Sequence, residues 1–253
     1  LPPLPSRFHD LYVAAPRLAA RDDPSLHGGR QRAIPHEVGN WPTFVFLEWH
    51  LNAAEFSLLS EVLTKLDRQD GKRKARHHTK GEGFVKAQFK LISSLVSDLG
   101  AEQPLHISLS RPNNLKTLER AQFVDLLEER IHKARLKPFG ISFGNFEWVS
   151  NSDGTRWFFV MTAKSEENEL STLLRLTNST FATYHQPALY SEHKSDNGFH
   201  VTIGWSLEAP EKELMKQLET ETGNEFKTQL SQLTMKTAEV KIKIGNIIKA
   251  LPL

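Results

Sequence analysis

The stretches LHISLS (residues 105–110) and FHVTIGW (residues 199–205) contain the pattern that decides the fold. In both stretches apolar residues alternate with polar or small ones, which is the period of a β-strand with one buried face. Two residues of a strand span about 7 Å, so a histidine and the hydroxyl residue two positions later share one face. The open faces are predicted to carry His106, Ser108 and Ser110 in the first strand, and His200, Thr202 and Gly204 in the second.

The repetition of this His-x-hydroxyl motif is more informative than either copy. A single histidine on a polar strand face is most often an ordinary surface or core histidine. Two copies in strands of matched alternation, one in each half of the chain, are much harder to obtain by chance. The pair therefore predicts a site to which both halves of the chain contribute.

Cleavage of an RNA phosphodiester by the neighbouring 2′-hydroxyl needs a base and an acid. Histidine can hold either protonation state near neutral pH, so His106 and His200 suit these two roles, and their nearly equivalent motifs leave open which is which. The hydroxyls of Ser108 and Thr202 are expected to donate hydrogen bonds to the non-bridging phosphate oxygens. The scheme requires no metal or cofactor, and the sequence has no carboxylate cluster of the kind that binds Mg²⁺.

Local patterns along the rest of the chain predict an α/β protein, or α+β in a stricter scheme. Asn52 and Glu55 have the spacing of a capping box at the start of a helix. The predicted helices cover about 52–66, 85–99, 117–134, 166–177, 210–221 and 225–233. Further strands are predicted at 43–49, 141–149, 155–163 and 238–248, and a loop at 178–198.

Composition narrows the classes of protein. The chain has 253 residues, 39% of them hydrophobic, a net charge of +2 and no cysteine. The absence of cysteine excludes disulfides, thiolate nucleophiles and cysteine zinc sites, and suits a reducing compartment. No apolar run approaches the roughly 20 residues that cross a bilayer, so no membrane partner is expected.

The domain prediction is an irregular leader at 1–26 and one domain at 27–253. A basic, glycine-punctuated segment at about 67–83 interrupts it and is predicted to be a flexible insertion. Its KRKAR sequence fits a solvated loop, a nuclear-import signal or a contact with RNA phosphates.

Other catalytic motifs are absent or poorly matched. His185, His193 and His200 follow one another at intervals of eight and seven residues, which is no standard zinc-ligand spacing. The sequence lacks the GxxxxGK[ST] phosphate loop and the GxSxG nucleophile elbow.

The paired motifs resemble those of the two-histidine (2H) phosphoesterase superfamily. In addition, HGGRQRAIPHEVGNWPT (residues 27–43) resembles the N-terminal signature of the U6 snRNA 3′-end processing phosphodiesterase family. The order that follows also agrees: an aromatic hairpin with SNSDGTRWF at its turn, a Tyr–Pro loop and the second motif. The resemblance covers about 27–253.

This resemblance implies a bilobal fold, with two pseudo-symmetric lobes of antiparallel sheet and flanking helices around a central groove. The implied activity is metal-independent 3′→5′ exonuclease trimming of terminal uridines or adenosines from U6 snRNA. The implied product is a 2′,3′-cyclic phosphate, which some members open to a 3′-phosphate. A nuclear, monomeric enzyme with RNA as its partner is expected.

The resemblance also implies substrate contacts outside the paired motifs. Tyr184, in the Tyr–Pro loop, is expected to stack on the terminal base, although a packing role for it stays open. The loop before His200 is longer than the family's, which leaves Tyr190 as the alternative platform. Ser152, Gly198 and Phe199 are the other expected contacts.

Two rival functions share the same residues. One is another 2H enzyme, a 2′,5′-phosphodiesterase or a cyclic phosphodiesterase on tRNA or nucleotide ends. It has the histidine pair but lacks the signature at 27–43. The other is a module that binds RNA ends without cleaving them.

Overall fold

The computed structural model describes residues 38–77, 90–151, 153–190, 198–212, 215 and 223–253. Within these ranges the chain forms one antiparallel sheet of ten strands and four helices, so the mixed α+β class is confirmed. The strands are β1 (Asn40–Trp49), β2 (Ile92–Ser93), β3 (Leu105–Ser108), β4 (Asn113–Lys116), β5 (Phe139–Ser150), β6 (Trp157–Ser165), β7 (His200–Ser206), β8 (Thr234–Thr237), β9 (Glu239–Ile244) and β10 (Ile247–Pro252). The helices are α1 (Ala53–His77), α2 (Glu119–Ala134), α3 (Glu169–Thr183) and α4 (Gly223–Leu230).

The sheet brings the two motif strands together at its centre. Its strand order is β10-β9-β1-β3-β7-β6-β5-β8, with β2 beside β7 and β4 beside β1. The edge strand β8 also contacts β1, so the sheet is strongly curled. None of the helices in the described ranges is long and apolar enough to span a membrane.

One face of the central strands forms the core. Ile107 of β3 lies opposite Val201 of β7, and both side chains are fully buried. Helices α2 and α3 pack together through Phe123 and Phe181, whose ring centroids are 4.5 Å apart. The alternation that buries Ile107 and Val201 turns the intervening histidines to the other face.

The predicted capping box is confirmed at the start of α1. The Asn52 side-chain oxygen accepts hydrogen bonds from the N–H groups of Ala54 at 2.9 Å and Glu55 at 3.0 Å. The Glu55 carboxylate in turn accepts the Asn52 N–H at 2.8 Å. These bonds satisfy backbone donors that the helix itself leaves free, so the sequence fixes where α1 begins.

The prediction of a helix at 85–99 is wrong for residues 90–99, which the structure describes. Residues 90–99 instead contain the short strand β2, and the Ser94 N–H donates to the Ile203 carbonyl of β7 at 2.9 Å. Gly204 permits this approach, because a Cβ at that position would lie only 3.0 Å from a methyl group of Leu91. The segment therefore pairs with β7 although Leu91, Leu95 and Leu99 are spaced as on one face of a helix.

Two further boundaries differ from prediction. The strand predicted at 238–248 is a hairpin of β9 and β10, because Gly245 adopts a left-handed φ of 59° and reverses the chain. Helix α3 continues to Thr183, so the loop predicted from residue 178 begins later.

Other predictions fall partly or wholly outside the described residues. The leader at 1–26, the first part of the 27–43 segment, Ser152, His193 and most of the helix at 210–221 lie there. Helix α1 runs to His77, so the first part of the predicted insertion at 67–83 is helical, and its remainder is not described.

Candidate active site

The pairing of β3 with β7 relates the two motifs by a local twofold axis. The strands are antiparallel with Ile107 opposite Val201. Counting one residue each way from that pair sets His106 opposite Thr202, and Ser108 opposite His200. Each histidine thus has two hydroxyl neighbours on the same face. One lies two residues further along its own strand, and the other lies opposite it on the partner strand. The predicted meeting of the motifs on one face is present in the structure.

All four side chains on this polar face reach solvent. His106 is exposed, whereas Ser108, His200 and Thr202 are half-buried. The opposite face of both strands packs in the core, which fixes the position of the strands. The histidines on the polar face remain accessible to a ligand.

The His200 ring is held by the chain just before it. Its Nδ1 lies 2.8 Å from the Gly198 carbonyl oxygen, which can only accept, so Nδ1 carries the proton of this bond. Nε2 is therefore the nitrogen available for proton transfer. The Tyr190 hydroxyl donates to the same carbonyl at 2.7 Å, which links residue 190 to the orientation of His200.

Aromatic rings surround His106 on the β1 side. The centroids of the Phe44 and Phe46 rings lie 5.4 Å and 5.8 Å from that of the imidazole, both edge-on. Phe44 and Phe46 are themselves stacked at 5.2 Å. This apolar wall restricts the imidazole and keeps water from one side of it.

A buried ion pair lies beside His106. Glu48 is the direct cross-strand neighbour of His106, and its carboxylate accepts a hydrogen bond from the buried ammonium of Lys241 on β9. His50 lies 2.8 Å from the same carboxylate. Burial raises the pKa of Glu48, but the hydrogen bonds from His50 and Lys241 prevail and leave it below its ordinary value. Glu48 is therefore an anion next to His106.

The surrounding protein lowers the pKa of both histidines, which favours their neutral forms near neutral pH. One edge of the His106 ring reaches solvent, but the protein atoms packed around its other side desolvate it, and this desolvation and the nearby His200 lower the pKa of His106 to about 4, with Lys243 adding to the effect and Glu48 opposing it. Burial lowers the pKa of His200, against a bond to the Gly198 carbonyl that raises it. A bound phosphodiester would favour the protonated form of either ring, because its negative charge stabilises an adjacent imidazolium.

Two residues expected on the open faces lie elsewhere. The Ser110 hydroxyl is buried and accepts the Val45 N–H at 2.9 Å, because β3 ends at Ser108 and the chain changes direction. Gly204 is covered by Leu63 and Leu91. The polar face therefore carries the two histidines and one hydroxyl from each motif.

The two candidate tyrosines occupy different surroundings. Tyr184 follows the last residue of α3, and its half-buried ring packs edge-on against Phe123 of α2 at 5.7 Å. The ring of Tyr184 therefore packs against the helix pair. Tyr190 instead contacts the segment that leads into β7: its ring lies edge-on to Phe199 at 6.5 Å.

A cavity next to His200 was missed by sequence reasoning. Its volume is about 290 Å³, and Thr162 in its wall is the cross-strand partner of His200. Phe199, one of the expected substrate contacts, also lines the cavity. The only sequence signal for this cavity is the row of polar residues that alternate along β5 and β6. Alternation alone does not predict which strand lies beside β7, so it could not locate the cavity next to His200. The other lining residues are Asn145, Glu147, Ala163 and Lys164.

Of the signature segment at residues 27–43, only residues 38–43 lie in the described part of the structure. The Trp41 indole N–H donates to the Thr117 hydroxyl at 3.0 Å, and the Arg120 guanidinium lies 4.1 Å from its ring centroid. This part of the segment braces β1 against the start of α2. Among the described residues no group of three or more histidine, aspartate or glutamate side chains is arranged to hold a metal ion.

Comparison with known proteins identifies relatives over nearly the whole chain. Residues 2–252 match the HVSL family, which is described as an uncharacterised conserved protein. U6 snRNA phosphodiesterase 1 of Neurospora crassa is 34% identical over 97% of this chain and 72% of its own length. The Homo sapiens protein of the same name is 23% identical over 92% of this chain and 77% of its own length.

Solved structures share the fold. Kluyveromyces marxianus Usb1 superposes with a TM-score of 0.63 at 19% identity, covering 84% of this chain and 98% of the other. A second structure of that protein, with uridine monophosphate, gives a TM-score of 0.62 at 20% identity over the same shares.

The similarity to curated phosphodiesterases over nearly the whole chain defines the class of this protein as a phosphodiesterase, and the curled antiparallel sheet is the fold of the matched structures. The chain belongs to the HVSL family, and specifically to the U6 snRNA phosphodiesterases.

Proposed function

We propose that the chain is a metal-independent 3′→5′ RNA exonuclease that trims the oligouridine or adenosine 3′ end of U6 snRNA. The observation that carries this proposal is the β3–β7 register, which relates two His-x-hydroxyl motifs by a local twofold on one solvent-accessible face. The names of the relatives support the substrate, and the uridine monophosphate with Usb1 supports a site for a uridine nucleotide.

In the proposed reaction one neutral imidazole removes the proton from the 2′-hydroxyl of the penultimate nucleotide. The 2′-oxygen attacks the phosphorus, and the bond to the 5′-oxygen of the terminal nucleotide breaks. The other imidazole, protonated when the phosphate binds, gives its proton to that oxygen. The terminal nucleoside leaves, and the shortened RNA ends in a 2′,3′-cyclic phosphate that water can open to a 3′-phosphate.

The hydroxyls of Ser108 and Thr202 act on the charge that develops on the phosphate. Each lies across the strand pair from the histidine of the other motif, so a phosphate between the imidazoles is flanked by both donors. A single donor of this kind typically contributes about 3–4 kcal/mol of transition-state stabilisation.

The same register supports a bilobal architecture with pseudo-twofold symmetry. Outward from the central pair, β3, β1, β9 and β10 follow one another on one side, and β7, β6, β5 and β8 on the other. Each side has four antiparallel strands in its path, and each supplies one His-x-hydroxyl motif.

The proposal also includes a nuclear location and a monomeric state. Imaging of the tagged chain tests the location, and light scattering tests the oligomeric state.

For the base platform we propose Tyr190 in place of Tyr184. The contacts of Tyr190 with Gly198 and Phe199 tie its ring to the strand that carries His200, whereas Tyr184 packs on α2. Tyr190→Ala should weaken binding of oligouridine about tenfold, because base stacking contributes about 1–3 kcal/mol. Tyr184→Ala serves as the matched control in a fluorescence binding titration. Equal losses from the two variants would remove the preference.

The proposed function is tested by incubating the protein with a 3′-oligouridine RNA in excess chelator. We expect stepwise loss of 3′ nucleotides, resolved on a gel, at the rate seen without chelator. A 2′,5′-linked oligonucleotide of the same length should be cut much more slowly. Preference for the 2′,5′ linkage would favour the rival phosphodiesterase, and binding without cleavage would favour the RNA-end-binding module.

A further inference from the structure

Lys243 is a half-buried cation on the polar face of the sheet, and no residue in the described part of the chain neutralises it. It lies on β9 opposite Phe44 of β1, the same Phe44 whose ring contacts His106. Among the described residues Lys243 has no hydrogen-bond or ion-pair partner. Phe44 is thus the cross-strand neighbour of Lys243 and also a ring contact of His106, and the positive charge of Lys243 contributes to lowering the pKa of His106.

The neighbouring lysine on the same strand shows what a structural lysine does in this environment. Lys241 points to the same face two residues earlier, and its buried ammonium is neutralised by Glu48. A partly desolvated ammonium without a partner costs free energy that a paired one recovers. Burial accordingly lowers the pKa of Lys243 from its ordinary value. With no partner among the described residues, the Lys243 ammonium is available to bind an anion.

We propose that Lys243 binds the phosphate one linkage upstream of the scissile phosphodiester. Its cross-strand neighbour Phe44 lies beside this subsite. This subsite rests on the proposed function, because only an RNA held for cleavage at the histidine pair would present that phosphate. Strand β9 is separated from β3 by β1, so its backbone lies roughly 10 Å from the first motif. A lysine side chain is long enough to cover part of that distance.

The direction of trimming selects the upstream phosphate. In the first turnover on an RNA with a free 3′-hydroxyl, a 3′→5′ exonuclease removes a terminal nucleotide that carries no further phosphate, so every non-scissile phosphate of that substrate lies on the 5′ side. Tyr190, Phe199 and the cavity beside Thr162 lie on the β7 side of the histidine pair, whereas Lys243 lies on the β1 side. An RNA strand crossing the pair therefore meets an aromatic site on one side and a cation on the other.

A double-mutant cycle between Lys243 and this phosphate tests the inference. The substrates are a short oligouridine and the same oligouridine with a neutral methylphosphonate one linkage upstream of the scissile bond. For the wild type the neutral linkage should lower kcat/KM roughly ten- to hundredfold, as expected for loss of a charge-assisted contact. Lys243→Met should lower kcat/KM on the natural substrate by a similar factor and be nearly insensitive to the neutral linkage.

Lys249→Met is the matched control. Lys249 lies on the partner strand of the same hairpin, but it is exposed and paired with Glu128 at 3.1 Å. It should leave kcat/KM and the sensitivity to the neutral linkage unchanged. Lys243→Met should also unfold at a temperature no lower than the wild type, because it removes an unpaired, partly desolvated charge.

The possible outcomes separate the inference from the function on which it rests. Equal sensitivity of the wild type and Lys243→Met to the neutral linkage would overturn the upstream subsite and leave the exonuclease standing. Failure of the wild type to cleave the natural oligouridine would overturn the proposed function itself.

Discussion

Alanine in place of either His106 or His200 is expected to lower the rate of oligouridine cleavage by about 10²–10⁴-fold. General acid–base catalysis by one positioned side chain contributes a factor of this size. The two rings act on the same phosphate, so the double variant should be little slower than either single variant, because residues that act as a unit are not additive. Single-turnover cleavage assays at saturating enzyme measure the chemical step.

The loss should occur without loss of folding. Both imidazoles lie on the open face of the sheet, and the core beneath them is formed by Ile107 and Val201. Circular dichroism and the thermal midpoint of the variants should therefore stay near the wild-type values. His132→Ala, which removes an exposed histidine in the last turn of α2, is the matched control and should leave cleavage unchanged. Cleavage within tenfold of wild type in both single variants would contradict the acid–base pair.

The sequence predicted the two motif strands well because their signal is local. Alternation in 105–110 and 199–205 reports directly which residues face the core, and Ile107 and Val201 are fully buried as it requires. The capping box at Asn52 is equally local, since three bonds within four residues define it. These local signals therefore predict the candidate histidine pair without reference to how the strands are arranged.

What the sequence did not predict depends on contacts between distant segments. The alternation in LHISLS continues to Ser110, but β3 ends before it and a hydrogen bond to β1 draws the hydroxyl inward. Residues 90–99 have helical spacing, yet Ile92 and Ser93 within them pair with β7, where Gly204 leaves room for Leu91. Local pattern cannot report a neighbour that arrives from another part of the chain.

The surroundings of His106 illustrate the same limit. Glu48, Lys241 and Lys243 are charged residues in strands whose sequence gives no reason to connect them. Their relation follows from the register of β1 with β3 and with β9, which sets Glu48 opposite His106 and Lys243 opposite Phe44. The Gly245-Asn246 turn was a recognisable hairpin signal that would have divided the last predicted strand correctly.

The largest expected effect of a change in the substrate comes from removing one 2′-hydroxyl. In the proposed reaction the nucleophile is the 2′-hydroxyl of the penultimate nucleotide, held beside the phosphorus by the ribose itself. Intramolecular nucleophiles of this kind reach effective molarities of about 10⁵–10⁸ M, so no solvent molecule can replace one. Without that hydroxyl the two imidazoles have no proton transfer to catalyse.

The most direct measurement is therefore mass analysis of the 3′ ends of two matched oligouridines after incubation with the protein. One has a 2′-deoxy sugar at the penultimate nucleotide and the other at the terminal nucleotide. We expect the first to remain intact and the second to lose its terminal nucleoside and acquire a 2′,3′-cyclic phosphate or its 3′-phosphate product. Efficient cleavage of the first substrate would show that water or another nucleophile attacks, and that His106 and His200 do not work as the pair described.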